Sequence, residues 1–237
     1  SVKELRSLGI QPNILLCRSD RIIPEGERKK IGLFCNVQHN CVIQAINANS
    51  IYEVPINFYN EGLDKRVLEY FNLDANKTID LKMWSQVSKH VLEPEGKVVI
   101  GIVGKYTGLA DAYKSLNEAL SHGGIFNNVK VELKWFESEE LNSSNTSSLL
   151  ANCHGILVPG GFGERGSEGK IAAIKYAREN KIPYFGICFG MQLAVIEMAR
   201  NILGIQDANS SEFSNCNNSI VGLMTEWTTS DLSLIHI

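Results

Sequence analysis

Residues 182–200 prescribe a strand, a tight turn and a helix in immediate succession. Ile182-Pro183-Tyr184-Phe185 is an apolar run of strand length, and Leu193-Ala194-Val195-Ile196-Glu197-Met198-Ala199-Arg200 reads as a helix. Between them stands Gly186-Ile187-Cys188-Phe189-Gly190-Met191-Gln192. A G-x-C-x-G at a strand-to-helix turn has the form of the serine nucleophile elbow, with a thiol in place of the hydroxyl. A side chain at either flanking glycine would crowd the backbone of residue 188. Cys188 then falls at a helix N-terminus, where unpaired N–H groups and the macrodipole favour a thiolate able to attack a carbonyl carbon.

The surrounding pattern extends this unit into a sheet. Residues 97–103 read as a strand closed by Gly104, and 111–122 as a helix with Gly123-Gly124 as its stop signal. Residues 129–136 alternate as a strand, 155–158 form a buried strand ending at Pro159-Gly160-Gly161, and 168–180 read as a helix. Strands alternating with helices imply βαβ units and a mostly parallel α/β sheet. In such sheets the active site lies beyond the carboxyl ends of the strands, where both Gly160-Gly161 and Cys188 fall. Upstream, 13–18 read as a buried strand, 25–35 as a helix and 41–44 as a short strand. Residues 61–71 carry apolar side chains at helical spacing (Leu63, Val67, Leu68, Phe71). The polar, irregular stretch that follows divides the chain into 1–72, a linker 73–96, and 97–237.

Composition removes several classes of function. A hydrophobic fraction of 44% and a charged fraction of 21% are those of an ordinary globular protein. A net charge of −3 gives no global reason to expect a nucleic acid or an anionic membrane as partner. No apolar run approaches the ~20 residues that span a bilayer. Without a basic start and apolar run of a secretory signal, the expected location is cytoplasmic. Cys17, Cys35, Cys41, Cys153, Cys188 and Cys216 show no C-x-x-C spacing, so they read as thiols and not as disulfides or a metal site. All but Cys188 read as structural. The chain opens within a helical segment, Val2-Lys3-Glu4-Leu5, and closes on the apolar stub 232–237, so both ends read as cut.

Attack by Cys188 on a carbonyl creates an oxyanion, which needs backbone N–H donors already in place. The N–H of Phe189 is one candidate and that of Gly161 the other. Gly161-x-Gly163-x-x-Gly166 also matches a dinucleotide fingerprint after a strand. That fingerprint requires an acidic residue at the end of the next strand, where this chain has Cys188. His154 precedes a strand and belongs at the end of the sheet opposite Cys188, and His122 reads as a helix C-terminal cation.

Val158-Pro159-Gly160-Gly161-Phe162-Gly163, Gly186-Ile187-Cys188-Phe189-Gly190-Met191-Gln192 and Asn209-Ser210-Ser211-Glu212-Phe213 together resemble the class I glutamine amidotransferases. Upstream segments narrow the resemblance to the CTP synthase family: Ser1-Val2-Lys3-Glu4-Leu5-Arg6, Cys17-Arg18-Ser19-Asp20-Arg21, Phe34-Cys35-Asn36-Val37, Ser50-Ile51-Tyr52, Val103-Gly104-Lys105-Tyr106 and Asp111-Ala112-Tyr113-Lys114-Ser115. The resemblance runs from Ser1 to about Trp227. It implies a flavodoxin-like amidotransferase domain, preceded by the C-terminal part of a P-loop-type α/β synthetase domain. It also implies ATP-dependent amination of UTP to CTP, with ammonia released from glutamine through a cysteine thioester.

Carried onto this sequence, the resemblance makes Cys188 the nucleophile and Gly161 and Phe189 the oxyanion donors. The family usually has Leu at 189, but only the N–H is required. Gly190, Met191, Gln192 and Glu212 join Gly161 and Phe189 around the substrate glutamine, the Glu212 carboxylate suiting its ammonium. Lys30, Arg18 and Ala48 are implied in binding UTP, CTP or ATP. Phe162 and Arg165 are implied in a lid responding to GTP, the allosteric activator. ATP and Mg2+ would be held mostly by a synthetase half outside this sequence, with no tightly bound cofactor. The complete protein is expected to be a homotetramer, with no nucleic acid or membrane partner.

The family's triad also needs a His-x-Glu, and none of the five histidines has Glu two residues on. His236 lacks such a carboxylate, and the tail 231–237 ceases to resemble the family and reads as foreign. The family's P-loop and acidic magnesium ligands have no counterpart either. The chain alone is therefore expected to be inactive. Two alternatives stand beside this reading. One is another class I amidotransferase, such as that of GMP synthesis, which leaves 1–72 unexplained. The other is a non-catalytic scaffold that kept the fold and lost the triad.

Overall fold

A computed structural model describes residues 1–76, 78–105, 110–213 and 218–222. Cys216, Trp227, His236 and the tail 231–237 lie outside the described residues. Two compact units are present, one of residues 1–96 with 125–129 and the other of the remaining described residues.

The first unit contains α1 (Val2–Ser7), β1 (Leu15–Ser19), α2 (Glu25–Cys35), β2 (Val42–Ile46), α3 (Val54–Asn60), α4 (Leu63–Tyr70) and α5 (Lys82–Leu92). Strands β1 and β2 pair in parallel, Leu15 opposite Val42 through Ser19 opposite Ile46. Val42, Ile43 and Ala45 point into the core. Helix α2 stops at Asn36 in the left-handed region, φ 53°, where Val37 N–H returns to Gly32 O at 2.9 Å. The Ser50–Glu53 capping box starts the next turn. Arg28 of α2 pairs with Glu61, whose carboxylate also accepts from Gln44 Nε2 at 2.6 Å. Gly62, at φ 77°, separates α3 from α4.

The polar stretch 73–96 contains the eleven-residue α5. Its inward stripe is Val87, Ser88 and Val91, of which Ser88 is the buried member, with the exposed Trp84 one turn earlier. A serine in the stripe breaks the apolar periodicity by which a helix is read. Trp84 Nε1 donates to Tyr52 O at 2.6 Å and anchors the helix.

The second unit contains β3 (Gly96–Gly104), α6 (Lys114–Phe126), β4 (Val129–Glu137), α7 (Thr146–Leu150), β5 (Gly155–Val158), α8 (Ser167–Glu179), β6 (Tyr184–Gly186), α9 (Phe189–Asn201), β7 (Ala208–Ser210) and β8 (Asn218–Val221). The main sheet has the order β4-β3-β5-β6, with β3–β5 and β5–β6 parallel, as the alternation predicts. Its core joins Val103, Ile156 and Val158 of the sheet to Ile171, Ile174, Leu193 and Ile196 of α8 and α9.

Gly123-Gly124 does not stop α6, which continues to Phe126. Gly124 is buried, so packing holds the helix through the pair, and the left-handed residue is Asn128, φ 53°. His122 is consequently inside the helix, with Nε2 3.8 Å from Glu118, and not its C-terminal cation. His154 lies where the sequence puts it, ahead of β5, exchanging two hydrogen bonds with the backbone of Val99.

Candidate active site

Strands β5 and β6 are register partners to their last residues, Val158 opposite Gly186. One further bond, Ile187 N–H to Val158 O at 2.9 Å, carries the pairing into the turns. Parallel pairing thus delivers Pro159-Gly160-Gly161 and Gly186-Ile187-Cys188 to the same edge of the sheet. A Cβ on Gly160 would lie 3.6 Å from the Cβ of Cys188, so the two turns nearly touch.

Cys188 is the N-cap of α9, exposed, with φ 50° and ψ −106°. That conformation is costly for any residue with a Cβ. The surroundings impose it. A Cβ on Gly186 would stand 2.6 Å from the backbone of Gly190 and Met191, and one on Gly190 would collide with the Val158 carbonyl. Both flanking glycines are therefore steric requirements of the turn. Tyr184 Oη donates to Gly190 O at 2.7 Å and ties the strand to the first turn of α9. Burial pushes the Tyr184 phenol up, keeping it a neutral donor.

Phe189 is the first residue of α9, so its N–H has no partner within the helix. Its ring is buried, edge-on to Phe213 with centroids 5.9 Å apart. Gly190 is buried, Gln192 half-buried and Met191 exposed. The turn after β5 is held from two sides. Lys105 Nζ donates to Phe162 O at 2.8 Å, and Glu212 Oε1 accepts from Gly163 N–H at 2.6 Å. The Lys105 ammonium is held below its ordinary range, first by burial and then by Arg165, with Glu139 and Glu212 opposing. Phe162 is 82% exposed, and Arg165 pairs with Glu139 at 3.2 Å.

Two lysines of this region were not singled out from sequence. Lys105 stands in the family-like segment Val103-Gly104-Lys105-Tyr106, but nothing in that segment gave it a role. Lys170 had a signal, because it shares a helical face with Ala173, Ile174 and Ala177, all buried. Lys170 is itself only 1% exposed. Burial, and next to it Lys105, lower its ammonium to about 8.

Arg18, Lys30 and Ala48 belong to the first unit. Arg18 Nη2 donates to Asn47 Oδ1 at 2.8 Å, which places Arg18 beside Ala48 at the carboxyl ends of β1 and β2. Lys30 is exposed on α2. Among the described residues no three His, Cys, Asp or Glu side chains converge.

A parallel sheet with a strained cysteine elbow beside a glycine turn defines an amidotransferase-type domain. The description Glutamine amidotransferase class-I matches residues 108–226, and CTP synthase N-terminus matches residues 1–73. CTP synthases of Maricaulis maris, Brucella ovis and Bradyrhizobium diazoefficiens are 56%, 60% and 59% identical to the chain over 96% of its length. A solved structure of the glutaminase domain of Trypanosoma brucei CTPS, with bound acivicin, is similar at 42% identity and a TM-score of 0.52. That match covers 59% of this chain and 55% of that one. The chain belongs to the CTP synthase family of class I glutamine amidotransferases. It spans 42% of the length of these curated relatives. No helix among the described residues is long and apolar enough to cross a membrane.

Proposed function

We propose that this chain carries the glutamine-hydrolysing part of an enzyme that aminates UTP to CTP at the expense of ATP. The observation that carries this reading is the backbone of Cys188, held at φ 50° beside the Gly160-Gly161 turn. The Cys188 thiolate attacks the glutamine side-chain carbonyl, and the amide nitrogen leaves as ammonia once protonated. Phe189 N–H and Gly161 N–H receive the oxyanion. Gly190, Met191 and Gln192 line the first turn of α9 around the substrate, and the Glu212 carboxylate takes its ammonium. Water then hydrolyses the thioester.

A histidine base with its carboxylate has no sequence counterpart in the chain. The chain alone accordingly acylates slowly and turns over negligibly. Phe162 and Arg165 answer to GTP in the turn that Lys105 and Glu212 hold. Arg18, Lys30 and Ala48 contribute to a nucleotide surface for UTP or ATP, completed with Mg2+ by further synthetase residues. The complete protein acts as a homotetramer in the cytoplasm.

The test is γ-glutamyl thioester formation on the intact chain, followed by mass spectrometry with glutamate γ-(4-nitrophenyl) ester as acyl donor. Acyl adduct at Cys188, abolished in Cys188→Ala, is expected. An adduct that survives Cys188→Ala overturns the nucleophile assignment.

A further inference from the structure

Lys170 is a residue that the glutaminase chemistry above leaves unused, and apart from the ring face of Phe189 its setting opposes its charge. It is 1% exposed, it lies near the positive end of α8 beyond Gly166, and its charged neighbour is another cation, Lys105. Among the described residues no carboxylate pairs with it. An unpaired buried ammonium is expensive, and a buried lysine ordinarily comes with an acid. Apolar side chains at Ala173, Ile174 and Ala177 show what the same helix face otherwise carries.

The ammonium is aimed at the oxyanion turn. Nζ lies 5.0 Å from the ring centroid of Phe189, and 3.6 Å from the point a Cβ would take on Gly161. These are the two residues whose N–H groups are assigned to the oxyanion. Cys188 stands between them in the fold, following β6 and preceding Phe189, with Gly160 within van der Waals reach.

We propose that Lys170 is a positioning residue for glutamine hydrolysis, its buried ammonium placed under Gly161 and Phe189 so that its field favours negative charge at the oxyanion. This rests on the glutaminase reading above. A preorganised charge that is itself buried stabilises charge developing beside it without reorganisation. The lysine need not touch the substrate. The step it favours is addition: the Cys188 sulfur forms a bond to the acyl carbon, and the carbonyl π pair moves to oxygen. Collapse returns that pair and expels the leaving group with its bonding electrons.

Two electrophiles separate this role from a structural one. Glutamate γ-(4-nitrophenyl) ester, which carries the same γ-glutamyl group as glutamine, acylates Cys188 through an oxyanion, whereas iodoacetamide alkylates it by displacement with none. On the intact chain, Lys170→Met keeps the apolar stem and removes the charge. Acylation, read as nitrophenolate release, is expected to fall about tenfold, a fraction of what loss of a direct oxyanion donor costs. Alkylation is expected to stay within about twofold, since the elbow is intact. Lys170→Gln, neutral and of similar reach, is expected to give the same pattern. Acylation unchanged in both variants, or a fall shared equally by the two electrophiles, overturns the proposal. Nitrophenolate release that persists in Cys188→Ala instead overturns the underlying nucleophile reading, so the two failures are distinct.

Discussion

The carboxylate of Glu212, just after β7, accepts a hydrogen bond from the backbone N–H of Gly163 at 2.6 Å. The same carboxylate is the one assigned to the ammonium of the substrate, so turn and ligand share one acceptor. Glu212→Gln keeps a carbonyl oxygen for Gly163 and loses the charge. Glutamine affinity, measured by titration calorimetry, is expected to drop at least about tenfold, while Gly163 amide exchange stays within about threefold. In Glu212→Ala both are expected to be lost together.

The glycines at the two turns should differ sharply in their tolerance of a methyl group. A Cβ on Gly190 meets the Val158 backbone, with the carbonyl carbon at 2.9 Å, and that backbone is a paired central strand. Gly190→Ala is expected to cost about 2–4 kcal/mol in urea unfolding, because neither partner can withdraw. At Gly160 the nearest atom is the Cys188 Cβ, at an ordinary 3.6 Å. Gly160→Ala should leave stability within about 0.5 kcal/mol. Its methyl beside the nucleophile should slow acylation by the nitrophenyl ester.

Lys170 makes stability depend on pH with a defined sign. Its folded value is lowered from 10.5 to about 8, so between those limits the unfolded chain binds more protons. Stability therefore rises with pH across that window, and the penalty is fully present below about 8. The penalty is on the order of 3 kcal/mol. Lys170→Met is expected to stabilise the chain by up to about that amount at pH 7, by guanidinium unfolding. The gain should fade as pH approaches 10.

Helices α8 and α9 are joined through a charge pair at their interface. Glu197 is 0% exposed and takes Arg178 as a fork, with Nε and Nη2 at 2.8–3.1 Å. Arg178 keeps 32% of its side chain exposed and can turn to water, so Glu197→Ala is expected to cost about 1–3 kcal/mol. A double substitution of Glu197 and Arg178 to Leu and Met should recover much of the loss, measured as a shift in the unfolding midpoint.

What could be read from sequence was whatever the backbone itself constrains. Gly186 and Gly190 were legible because no side chain fits at either place, and the β5 run because a strand covered on both faces must be apolar. Helix α5 was not legible, since a stripe containing Ser88 has no clean period. Gly123-Gly124 was misread because glycine ends a helix only where packing does not hold it, and buried Gly124 is held. Lys170 and Glu197 escaped notice for a common reason. Residue type signals solvent exposure on average, and that expectation hid both, although the helical spacing of Lys170 with Ala173, Ile174 and Ala177 put it on the buried face.

The left-handed backbone at Cys188 sets architecture against chemistry at one position. Glycine would relax φ 50° at no steric cost, and Cys188→Gly is expected to leave the chain as stable or up to about 1 kcal/mol more stable in urea unfolding. The fold on its own thus offers the thiol no shelter, and drift acting on stability alone would erase it. A cysteine found there marks a use for sulfur that folding cannot supply.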